Sequence, residues 1–116
     1  MEIKNKVMMQ VLVLNNDTIE KIQVIGKRIG DNSVASVKAM MLENLKLKLQ
    51  SGVAHFVYMK KDGSLREAWG TTNPALARAK TNGNGLNREL FKTLAYFDIE
   101  KSAWRSFRWE TLIQVF

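Results

Sequence analysis

The sequence predicts an α+β fold, a short strand and helices first and antiparallel strands after. Three observations predict it. Apolar residues recur at helical spacing between Ile19 and Gly52, alternate with polar ones after Val53, and change habit at a Ser51-Gly52 stop. The 116 residues suit a single compact domain able to bury a modest core.

The first apolar block, Val7 to Leu14, is β-branched, about eight residues long and ended by Asn15-Asn16-Asp17, which predicts a strand. Asp17 followed by Glu20 resembles a capping box. Behind it Ile19, Ile22, Ile25 and Ile29 recur at steps of three, three and four, the spacing of a helix, with Gly30 as its stop. A second strand through Ile22-Gln23-Val24-Ile25 is the alternative, because these residues are β-branched. The next helix is capped by Asp31, Asn32 or Ser33, and Val34, Val37, Met41, Leu45 and Leu49 line one face.

From Val53 to Lys60 the pattern has period two, and Leu65 to Gly70 follows after Lys61-Asp62-Gly63-Ser64. Asp-Gly between two such runs predicts a hairpin whose two central residues both take positive φ. Asn73-Pro74 opens a short helical turn through Lys80, and Thr81 to Asn87 reads as a flexible loop. A second hairpin pairs Phe91–Asp98 with Trp104–Glu110, and Leu112–Phe116 is a last strand.

Composition excludes several chemistries. Without cysteine there is no disulfide, thiol nucleophile or Cys-ligated metal, and a single histidine, His55, leaves no material for a metal centre or a nucleophile–His–Asp triad. No apolar run is long enough to span a membrane, and Glu2 near the start argues against a signal peptide. The expectation is a cytoplasmic protein of a bacterial cell or phage-infected host, with no cofactor, no metal and no membrane partner. Asn82-Gly83-Asn84-Gly85 lacks both the dinucleotide fingerprint and the P-loop Lys-Ser/Thr, so it reads as an ordinary loop. Glu67, Asp98, Glu100 and Glu110 fall in or beside strands but form no acid–base motif, and no enzyme is predicted.

The formal charge is +7, shared as +3 on residues 1–52 and +4 on residues 53–116, so no basic tail carries it. Lys60, Lys61, Arg66, Arg78, Lys80, Arg88 and Lys92 surround the first hairpin and the loop. Trp104-Arg105-Ser106-Phe107-Arg108-Trp109 places an aromatic beside an arginine on both faces of a strand. The candidate nucleic-acid interface is therefore Lys60, Lys61, Arg66, Arg78, Trp104, Arg105 and Arg108, stacking bases and neutralising phosphates. Equally open at this point is a structural reading, with Phe107 and Trp109 in the core and the cations on a solvated surface. The apolar N-terminal faces, represented by Ile22, Ile25, Ile29, Val37 and Met41, either pack on the strands or form a partner or self-association interface.

Two blocks carry a family resemblance: Phe56 to Thr71, and Ala95 to Trp109. Together they resemble the second WYL-type family, small Sm-like barrels of SH3-like topology found in gut bacteria and their phages and known as a domain of unknown function. The resemblance covers roughly residues 35–116. It implies a barrel of about five bent antiparallel strands, preceded by an N-terminal strand and one or two helices. It divides the chain into an N-terminal addition, residues 1–33, and a helix plus barrel, residues 34–116. It also implies a binding module of accessory or regulatory type rather than an enzyme. The contiguous Trp-Tyr-Leu tripeptide is missing here, so no ligand site of the WYL regulators carries over.

Overall fold

A computed structural model describes residues 16–77 and 92–116. The elements are α1 (Asn16–Ile29), α2 (Asn32–Ser51), β1 (Ala54–Met59), β2 (Leu65–Thr71), β3 (Thr93–Asp98), β4 (Ala103–Arg108), a 3-10 turn (Trp109–Thr111) and β5 (Leu112–Val115). The strand expected at residues 7–14, Arg78 and the 81–87 loop lie outside the described residues.

The segment 16–29 is a helix, and the alternative strand through Ile22–Ile25 is discarded. Its stop is as expected: Gly30 takes φ +74° and its N–H donates to the Gly26 carbonyl at 2.8 Å. The start differs. Asp17 lies inside the first turn rather than at the cap, and Glu20 bonds Lys92 instead of closing a capping box. Asp31 caps α2, its Oδ1 accepting the N–H of Ser33 at 2.9 Å and of Val34 at 3.1 Å.

The buried face of α2 is a correction. Ala35, Ala39, Leu42, Leu45 and Leu49 are buried, Met41 is half-buried, and Val34 and Val37 face outward. Both sides of this helix are apolar, so periodicity alone could not choose between them. The small Ala35 and Ala39, with Gly26 facing Ala35 from α1, let two helix backbones approach closely. Lys21 of α1 is also buried, its ammonium 3.1 Å from Glu43 and 4.7 Å from the centre of the Trp109 ring. Arg28 ties the same helix to Glu110 at 2.6 Å.

The five strands form one antiparallel sheet in the order β4-β3-β2-β1-β5. In the first hairpin only Gly63 takes positive φ, so the expected two-residue turn is corrected. The Gly63 N–H donates to Lys60 O at 2.9 Å and the Lys60 N–H to Ser64 O at 2.8 Å, a type I turn followed by a bulge glycine. The second hairpin forms, between Thr93–Asp98 and Ala103–Arg108 rather than out to Glu110, with Tyr96 opposite Arg105 and Phe97 opposite Trp104.

Two facts show that the sheet curls into a barrel. The outer strands β4 and β5 are joined by three residues, Trp109–Thr111, which span at most about 14 Å. Phe56 on β1 also contacts Phe107 on β4 at 5.8 Å between centroids, though two strands separate them in the sheet. A flat sheet would hold those rings nearly 15 Å apart. Helix α2 packs on the barrel, and its last turn is satisfied by β2: Thr71 Oγ1 and the Thr72 N–H both donate to Leu49 O at 3.0 Å. Lys38 donates to the carbonyls of Glu110 and Leu112, each at 2.8 Å, and so holds the 3-10 turn against α2.

Candidate nucleic-acid interface

Strand alternation decides which side chains can meet inside the barrel. On β1, Ala54, Phe56 and Tyr58 point inward; opposite them on β2 stand Gly70, Ala68 and Arg66. On β3, Leu94, Tyr96 and Asp98 point inward, opposite Phe107, Arg105 and Ala103 of β4. Each tyrosine therefore has an arginine as its cross-strand neighbour, Tyr58 with Arg66 and Tyr96 with Arg105. Closing the barrel brings the two pairs together, and the Tyr58 and Tyr96 hydroxyls bond at 2.8 Å.

The cluster has one internal counter-ion. Asp98 is buried, lies 3.1 Å from Arg105 Nε and accepts the Lys101 N–H at 3.0 Å. Arg66 has no ion-pair partner among the described residues, yet it lies close enough to act electrostatically on Tyr96. Burial holds the Tyr96 hydroxyl well above the ordinary tyrosine range, reinforced by the bond to Tyr58 and the charge of Asp98. Lys60 and Lys61 follow at the hairpin end beside Arg66, also without ion pairs among the described residues. Asp62 in the turn is the one carboxylate beside them among the described residues; the N–H and hydroxyl of Ser64 donate to its Oδ1 and, with the charge of Lys60, hold its carboxyl below the usual range, so three cations face a single ionised carboxylate.

The expected Trp104–Trp109 platform comes apart. Phe107 and Trp109 are buried in the core, as the structural reading has it, and Arg105 turns inward to Asp98. Trp104 stays on the outer face with its ring edge-on to Phe97 at 5.8 Å. Arg108 is outside too, paired with Glu110 at 2.9 Å. Arg66 and Arg105 thus flank the tyrosine pair from β2 and β4, Lys60 and Lys61 follow at the hairpin end next to Arg66, and Trp104 and Arg108 lie on the outer face. Sequence reading missed Tyr58 and Tyr96, which look like ordinary strand residues until the barrel closes, and it noted Asp98 only as a carboxylate in or beside a strand, whereas Asp98 is buried.

On the opposite face, His55 is sandwiched between Trp69 at 4.3 Å and Phe116 at 4.2 Å, with Glu67 3.6 Å from Nε2. Both ring faces are thus covered by the chain itself. Of the expected partner residues, Ile25 is fully buried in the protein's own core and presents no surface, a correction that follows from the α1–α2 contact. Ile22 and Met41 pack against that core, whereas Ile29 and Val37 are exposed. No group of three or more metal-ligating side chains occurs among the described residues. None of their helices is long and apolar enough to cross a membrane.

The tyrosine pair gives a pH prediction. A folded-state pKa above the unfolded value means that stability is fully present below the unfolded value of about 10 and is lost as pH rises past it. The chain has two tyrosines, both in this pair, so absorbance near 295 nm should stay below two tyrosinates per chain above pH 10 until unfolding releases Tyr96. Full ionisation of a chain still folded would contradict the buried hydroxyl.

Comparison with known proteins adds the following. The family described as WYL_2, Sm-like SH3 beta-barrel fold, matches residues 42–113, from within α2 to within β5. An uncharacterized 11.5 kDa protein of the Gp31-cd intergenic region of Enterobacteria phage T4 is 33% identical over 81 residues, which cover 67% of this chain and 79% of that protein. No solved structure matches significantly.

Proposed function

Since the chain belongs to the WYL_2 family, with its Sm-like SH3 β-barrel fold, we propose that it is a non-enzymatic binding module of phage or bacterial accessory type, whose ligand is nucleic acid or a nucleotide. One observation carries this reading: Lys60, Lys61 and Arg66 lie together at the hairpin end without ion pairs among the described residues, beside the bonded hydroxyls of Tyr58 and Tyr96. Cations left without counter-ions at a barrel mouth are suited to phosphate. Arg66 takes the phosphate in a planar fork, and Lys60 and Lys61 supply mobile charge. Arg105, held by Asp98, keeps Tyr96 in place from the other side. A protein-interaction module is the second reading, and it draws on Ile29 and Val37, the two expected partner residues that are exposed.

Fluorescence of the three tryptophans, titrated with single-stranded oligonucleotide at low and moderate salt, tests the proposal. Binding should weaken steeply with salt, and Arg66→Ala should reduce affinity about fivefold and flatten the log–log salt slope by about 0.7. Arg108→Ala, which removes a cation already paired with Glu110, should change little. The absence of any signal change with oligonucleotide or mononucleotide at low salt rejects the reading.

A further inference from the structure

Helix α2 is enclosed on most of its circumference. Ala35, Ala39, Leu42, Leu45 and Leu49 are buried, and Ser36, Lys38, Met41, Glu43 and Lys46 are half-buried. The open side is centred on a stripe through Ser33, Val37, Met40, Asn44 and Leu47, edged by the exposed Val34 and by Lys48, whose Nζ donates to Phe116 O at 2.7 Å. The stripe carries no charge over four turns, and its apolar members are 59% (Val37), 55% (Met40) and 66% (Leu47) exposed. A solvated helix face normally holds Lys, Glu or Arg; this one holds Val, Met, Asn and Leu.

The spacing says what covers it. Steps of four, three, four and three along 33-37-40-44-47 are those of a coiled-coil seam, opposite the face that packs on the chain's own core. We propose that the seam pairs with the same seam of a second copy, α2 against α2 in parallel and in register. Asn44 identifies the occupant. Among apolar layers an isolated amide costs stability against an arbitrary hydrophobic groove, but in register it meets Asn44 of the second copy, and each amide donates to the other's carbonyl. A helix of 20 residues is about 30 Å long, so the contact is small and its dissociation constant should fall in the tens of micromolar.

Sedimentation of the full chain from about 1 to 300 µM should follow a monomer–dimer equilibrium. Val37→Glu combined with Leu47→Glu should give a monomer throughout; both sites are exposed, so helix circular dichroism and melting should be unchanged. The chain has no cysteine, so Asn44→Cys adds a single thiol that oxidised glutathione should convert to a linked dimer. Leu65→Cys, equally exposed on the hairpin, should stay unlinked under the same conditions. A wild type monomeric at every concentration overturns the proposal, as does a dimer that survives the double substitution. So does a cross-link that forms only between mixed Met40→Cys and Asn44→Cys chains, which would mean antiparallel helices.

Discussion

Phe56→Ala is expected to lower the unfolding free energy by about 4 kcal/mol, more than any other single truncation in the barrel interior. Phe56 is fully buried, and its ring meets those of Tyr96 at 4.9 Å, Phe107 at 5.8 Å and Tyr58 at 6.1 Å. From β1 it bridges to β3 through Tyr96 and to β4 through Phe107. Truncation therefore loses the transfer energy of the ring and leaves a cavity whose walls belong to a closed sheet, which collapses poorly. Against a net stability of roughly 5–15 kcal/mol, that loss is a large fraction. A urea melt checks it: the midpoint should fall by well over 1 M with the slope unchanged. A shift under about 0.5 M would mean that the ring does not bridge the strands.

The second large effect comes from adding a methyl group. Gly70 lies under the Tyr96 ring, and a Cβ there would overlap that ring and stand 3.3 Å from the Phe97 carbonyl. Neither neighbour can yield, because Tyr96 is fully buried and bonded to Tyr58, and the carbonyl belongs to the adjoining strand. Gly70→Ala should cost about 3 kcal/mol, at the upper end for overpacking. Gly26→Ala is the control. Its new Cβ meets only the end of the exposed Asn32 side chain, which can rotate away, while alanine favours the helix by about 1 kcal/mol. The two substitutions should therefore have opposite signs in the same melt, and equal effects would refute the close approach at Gly70.

How much of this was readable beforehand depended on the range of the interaction. Local signals were enough where the cause was local. Gly30 and Asp31 separate two helices, Asp62-Gly63 marks a hairpin, and period two marks the strands around Trp69 and Phe97. The motif blocks around both hairpins pointed to the family that matches residues 42–113. Other features needed the closed barrel. Periodicity could not rank the two apolar sides of α2, because the choice is made by Leu42 and Ala39 meeting partners far along the chain. Lys21, a lysine on a helix, reads as solvated until Trp109 and Glu43 enclose its charge. Lys60, Lys61, Arg66 and Arg105 were singled out in the sequence. What links Arg66 and Arg105, each the cross-strand neighbour of a tyrosine, is the bond between Tyr58 and Tyr96, 38 residues apart.

The three-residue join between β4 and β5 also has a cost in chain entropy. Phe56 pairs with Val115 across 59 intervening steps of sequence, whereas each hairpin closes over only a few. The logarithmic growth of loop-closure entropy makes that last pairing about 2 kcal/mol more expensive than a hairpin. Both hairpins can form while the chain is still largely open, but β1 and β5 can meet only after the rest of the path has been shortened. Barrel closure is thus the slow, non-local step of folding. The mouth that gathers Arg66 and Arg105 exists only once that step is complete.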